Sequence, residues 1–158
     1  MRTSPLEKLM WSIAFPGFGQ YLNGKYVKGT AFLALEFIIN VQANFNYAIL
    51  LSFHGKILDA IKYTDYQWLM FYPCLYFFSM WDAVKDANGG KGPYSFLPYM
   101  FAAFVVTTGL IFSSNLKVFG ILLGPVWLPM LLTFPGIVIG LIIRQILKIF
   151  FKNHLLHE

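Results

Sequence analysis

Four groups of residues have types and spacings that could do chemistry. Glu36, Asn40 and Asn44 recur every fourth residue, which on a helix places a carboxyl and two amides on one face. In apolar surroundings such a stripe must turn into a bundle, because a charge there is costly unless paired, hydrated or protonated. The preferred reading is an interhelical hydrogen-bond seam, and the alternative is a proton or cation site. Gly17, Gly19, Gly24 and Gly29 surround Lys25 and Lys28. Glycines permit positive φ and close backbone approach, so this turn could pack tightly, or its amides could cradle an anion such as a lipid phosphate. Asp82, in Trp81-Asp82-Ala83-Val84-Lys85-Asp86, is placed to accept hydrogen bonds from that turn or to pair with Lys25 or Lys28. The histidines, His54, His154 and His157, are far apart and have no companion cysteines, and Cys74 is the single cysteine. That pattern supports neither a disulfide nor a metal site. No nucleophile and base can be paired, so no catalytic residue, metal or cofactor is expected.

The elements that carry these residues are set by composition. Of the 158 residues, 58% are apolar and 12% charged, against about 25% charged in an ordinary soluble domain. A helical bilayer crossing takes about 20 mainly apolar residues, and the chain supplies such stretches repeatedly. Stretches such as 96–112 stay apolar on every side, unlike the alternating strands of a membrane barrel. The net charge of +5 is spread in pairs beside apolar segments. It is not gathered into the basic stripe that marks a nucleic-acid binder, so no nucleic-acid partner is expected.

The expected fold is all-α: a polytopic transmembrane helical bundle of about four spans plus a short N-terminal re-entrant or interfacial helix, forming one membrane domain over 1–158. The re-entrant helix and glycine turn occupy 9–24, and the spans lie at about 27–51, 66–81, 96–113 and 118–143. A cytoplasmic tail covers 144–158. Arg2 and Lys8 before a short apolar core, with Gly17-Phe18-Gly19 after it, also resemble a signal peptide, but another membrane segment follows at once. The cluster Asn88-Gly89-Gly90-Lys91-Gly92-Pro93 marks the clearest break. In the last stretch Pro125, Pro129 and Pro135 predict a kink, or a split into two shorter crossings near Phe134-Pro135-Gly136.

Charge sets the topology. With a re-entrant first segment, Arg2, Lys8, Lys25, Lys28, Lys85, Lys91, Arg144, Lys148 and Lys152 share one face, leaving Lys56, Lys62 and Lys117 on the other. A full first crossing would move Arg2 and Lys8 across and weaken the asymmetry. The positive-inside bias therefore predicts a cell-membrane protein with both termini cytoplasmic.

The string Phe15-Pro16-Gly17-Phe18-Gly19-Gln20-Tyr21-Leu22-Asn23-Gly24-Lys25, with Lys28-Gly29 beyond, resembles the motif of small membrane proteins related to the TM2 domain family. In that family a Pro-Gly-x-Gly turn leads to an aromatic-Leu-Gly step and then Lys-Gly before a helix. Trp81-Asp82 is a second echo. Here Asn23 interrupts the aromatic-Leu-Gly run, and an added hairpin separates Lys28-Gly29 from Trp81-Asp82. The resemblance implies a compact multi-pass membrane protein, bacterial in this form, without established catalytic residues.

The expected function is non-enzymatic: an assembly, adaptor or regulatory partner of other membrane components, with the bilayer and another membrane protein or a second copy as partners. A small transporter or channel subunit built on Glu36 is the first alternative, and a lipid-interacting membrane enzyme the second.

Overall fold

A computed structural model of the protein describes residues 4–90 and 92–154. Arg2 and Lys91, the side chains of Lys152 and His154, and His157 with the end of the tail lie outside the described residues. The chain is predominantly helical, in the order α1 (Pro5–Ala14), α2 (Phe18–Leu22), α3 (Tyr26–Gln42), α4 (Phe45–Phe53), α5 (Ile57–Tyr63), α6 (Tyr66–Leu69), α7 (Phe71–Asp86), α8 (Leu97–Phe112) and α9 (Gly124–His154). A two-residue antiparallel ladder, β1 (Lys117–Val118) with β2 (Ile121–Leu122), joins α8 to α9.

Among the described residues one helix is long and apolar enough to cross a membrane alone: α9, over Gly124–Phe151. Its 31 residues reach about 46 Å at the helical rise, beyond the roughly 30 Å of bilayer hydrocarbon. No break divides it, so the alternative of two shorter crossings split near Phe134-Pro135-Gly136 does not occur. Pro125 sits in the first turn, where its missing amide is not needed. Pro129 and Pro135 each remove one hydrogen bond, which the packing of α9 along α8 outweighs. That packing runs through small residues spaced by four. A Cβ on Gly140 would stand 2.5 Å from Pro98 Cα, and one on Gly136 2.8 Å from Ala102 Cα. The two backbones therefore touch, as in small-xxx-small helix pairs.

The other expected spans are not single long helices. Helix α8 is apolar but short. The 27–51 stretch breaks between α3 and α4, where Asn44 takes a left-handed conformation at φ 54°. Its side-chain amide donates to the Tyr63 carbonyl at 3.1 Å, and the Asp65 amide donates to the Ala43 carbonyl at 3.1 Å. The break is thus held by the C-terminal end of α5, an element that reads from sequence only as a polar connector. The 66–81 stretch divides at Met70 into α6 and α7, and α7 continues to Asp86.

The core has two centres. Phe77 and Met80 of α7 meet Ala102 and Val106 of α8, covered by Leu9 of α1 and Ile137 of α9. Ala43, Leu69 and Leu110 form the second, toward the opposite end. At the first end Pro5 lies against Gly89 and the Tyr76 hydroxyl donates to the Ile13 carbonyl at 2.6 Å. Helix α1 therefore runs antiparallel to α7 as far as Tyr76, and α2 returns beside Ser79–Ala83.

Candidate functional site

The turn from α1 into α3 is shaped by glycines, of which Gly17, Gly19 and Gly29 have no room for a side chain. Gly17 has φ 103°, and a Cβ there would stand 2.5 Å from the Gly29 carbonyl oxygen; a Cβ on Gly29 would reach the Gly17 oxygen at 3.0 Å. Backbone meets backbone at that point. A Cβ on Gly19 would strike Ser12 Oγ and come within 2.7 Å of Ala83 Cβ, so the turn is pressed between α1 and α7. Gly24, at φ 71°, has open space around it and is needed only for its backbone conformation.

This compaction brings three polar side chains onto the end of α7. Lys28 Nζ donates to Asp82 Oδ1 at 2.8 Å and to Asp86 Oδ2 at 3.0 Å. Gln20 Nε2 donates to Asp82 Oδ2 at 3.1 Å and to the Ser79 carbonyl at 2.8 Å. Asn23 Nδ2 donates to the Ala83 carbonyl at 2.8 Å. Both oxygens of the Asp82 carboxylate are thus occupied, and its side chain is 10% exposed against 47% for Lys28. Such a desolvated, multiply bonded carboxylate contributes more than an exposed ion pair.

Of the residues singled out from sequence, Asp82 and Lys28 are joined, while Lys25 caps α3 on the surface without an ion pair among the described residues. The donors to Asp82 are side chains, not amides of the glycine turn. Of the candidate lipid-phosphate residues, Gly17 and Gly19 pack against Gly29, Ser12 and Ala83, Lys28 is engaged by two carboxylates, and Lys25 is exposed. Gln20, Asn23 and Asp86 complete the clamp. Gln20 and Asn23 lie inside the glycine-rich string, but nothing in their spacing assigns them a target 60 residues away.

The stripe Glu36, Asn40, Asn44 does not persist as one helical face, because α3 ends at Gln42. Glu36 is buried on α3 at 7% exposure, with no ion pair among the described residues. Asn40 lies beside the Glu36 carboxyl and also exchanges hydrogen bonds with Asn46, each at 3.2 Å, from its own amide to Asn46 Oδ1 and from the Asn46 backbone amide to its oxygen. Both asparagines thus serve the α3–α4 break.

Two concavities flank the α7–α8 pair. A groove of about 1100 Å³ lies between α3, α6–α7 and α8, walled by side chains such as Phe32, Ile38, Phe71, Phe78 and Phe104. Cys74 is exposed and lines this groove. A smaller cleft of about 420 Å³ is walled by α1, α7, α8 and α9. Among the described residues no three of His, Cys, Asp and Glu come together closely enough to hold a metal ion. No family model, curated protein or solved structure matches this chain.

Proposed function

We propose that the chain is a multi-pass membrane protein that acts without catalysis, as an adaptor or assembly partner binding an apolar helix of another membrane protein. Its outer surface supports the membrane part: Phe37, Phe104, Phe134 and Phe150 are 66% to 74% exposed, a coat suited to lipid and not to water. Four crossings are then composed of α3 with α4, α6 with α7, α8, and α9, while α1 and α2 enter and return from one face. That face carries Lys25, Lys28, Lys85, Arg144 and Lys148, which makes it cytoplasmic together with both termini. Non-helical backbone at the α3–α4 break is tolerable at membrane depth because protein partners satisfy its polar groups.

The observation that carries the adaptor reading is the groove between α3, α7 and α8, about 1100 Å³ and almost wholly apolar. A surface of aromatic and aliphatic knobs and hollows suits a second helix packed by van der Waals contact. The natural thiol of Cys74 tests it. Crosslinking through Cys74 in native membranes is expected to give a stoichiometric adduct with another membrane protein, lost in Cys74→Ser. Recovery of the chain alone, or crosslinked only to itself, would overturn the adaptor reading. A second reading, a transporter or channel subunit, draws on the burial of Glu36.

A further inference from the structure

The cleft between α1, α7, α8 and α9 is polar at one end and apolar beyond it. Lys85 and Arg144 line it beside Ser95 and the 89–90 turn, while Leu9, Ile13, Phe77 and Ile137 line its interior. Phe77 precedes Lys85 by eight residues of one helix, about 12 Å at the helical rise. Ile137 lies seven residues before Arg144 on α9, so both helices give the cleft the same axis: cationic at the cytoplasmic end, apolar for two turns inward.

The cations are not spent within the protein. Neither Lys85 nor Arg144 forms an ion pair among the described residues, and no acidic residue lines the cleft. The Lys85 ammonium rests 4.8 Å from the centre of the Trp81 ring, and among the described residues Arg144 Nε donates to the Pro93 carbonyl alone, at 3.4 Å. A Cβ on Gly92 would meet Arg144 Nη2 at 3.0 Å with Lys148 Nζ at 3.7 Å, so a third cation stands at the same end. Trp81, which also lines the cleft, has an indole N–H with no acceptor among the described residues. That group can only donate. The contrast with Lys28, held by two carboxylates, is direct.

We propose that this cleft binds an anionic phospholipid, with its phosphate between Lys85 and Arg144 and an acyl chain along Leu9, Phe77 and Ile137. Charge selects the headgroup, since basic clusters at the cytoplasmic interface attract anionic lipid. The apolar interior distinguishes a lipid from free phosphate. The proposal rests on the membrane reading above, but not on the adaptor reading, because the cleft is walled by α1 and α9 and the groove by α3, with Trp81 and Tyr99 shared between them.

The test is native mass spectrometry of the full chain released from neutral detergent, titrated with phosphatidylglycerol, phosphatidylcholine or inorganic phosphate. Phosphatidylglycerol is expected to bind about twenty-five-fold tighter than phosphatidylcholine, about fivefold for each of the two cations, and inorganic phosphate is not expected to displace it. Lys85→Ala and Arg144→Gln should each weaken phosphatidylglycerol about fivefold, whereas Lys62→Ala at the opposite end should not. Equal retention of the two lipids, displacement by inorganic phosphate, insensitivity to both substitutions, or a dimer that excludes lipid would each overturn the proposal. Failure of the membrane reading looks different: the chain would stay folded and dispersed without detergent.

Discussion

Lys28 and Asp82, 54 residues apart, meet at 2.8 Å between ammonium nitrogen and carboxylate oxygen, at the one place where the N-terminal turn, α3 and α7 converge. The contact is possible because Gly17 and Gly29 let two backbones touch, which brings the first turn of α3 alongside the end of α7. Gln20 takes the other carboxylate oxygen. A locally encoded turn therefore determines a long-range clamp.

The clamp predicts selective coupling. Asp82→Ala should lower thermal stability in detergent, since it removes one of the two acceptors of the buried Gln20 amide, which keeps the Ser79 carbonyl, and one of the two of Lys28, which keeps Asp86. In a double-mutant cycle Lys28→Ala should couple to it by about 1 kcal/mol, a value kept modest by the exposure of Lys28. Lys25→Ala, which touches neither carboxylate, should be additive. Equal coupling for the two lysines would mean that a diffuse charge effect, not the observed contact, holds the turn to α7.

The glycines should rank by what surrounds them. Gly17→Ala combines a positive φ with a collision against a backbone oxygen that cannot move aside, and Gly140→Ala drives a methyl into the backbone of α8 at Pro98. Each should destabilise by at least about 2 kcal/mol. Gly24→Ala meets nothing within 4 Å and should show only the left-handed backbone penalty, about 1 kcal/mol. Unfolding midpoints in detergent order the three. A Gly24 variant as damaged as the Gly17 variant would remove close packing as the reason for the turn's composition.

The residues show which parts of this fold are legible in sequence. Glycine, proline and charged side chains carry local constraints, so the turn at Pro16–Gly17 and the candidacy of Asp82 can be read directly. The choice of Lys28 over Lys25 cannot, because it depends on where α3 begins relative to the end of α7. The breaks at Asn44 and Met70 are hidden because hydropathy runs unbroken through them. The carbonyl of Tyr63 that anchors Asn44 comes from α5, 19 residues away. Three prolines mark α9 for a kink or a split, and Gly136-Ile137-Val138-Ile139-Gly140 carries a further signal. That small-xxx-small spacing could have announced the tight α8–α9 seam. Lys85 and Arg144, 59 positions apart in sequence, belong to one cleft only because α7, α8 and α9 pack side by side.

Glu36 separates the two functional readings. It is buried on α3 without an ion pair among the described residues, and its neighbours Asn40 and Asn44 are engaged at the helix break. A carboxyl that only fills a buried polar position can be replaced by its neutral isostere without loss, because removing an unpaired acid from an apolar site also removes its desolvation penalty. Glu36→Gln should therefore leave the unfolding midpoint in detergent unchanged or raised. Proteoliposomes of the wild-type chain and of the variant should show the same background proton and cation flux. Glu36→Leu, which deletes the polar group altogether, should keep that background as well. Flux above protein-free liposomes that disappears with Glu36→Gln would make Glu36 part of a conduction path, and the transporter reading would then replace the adaptor.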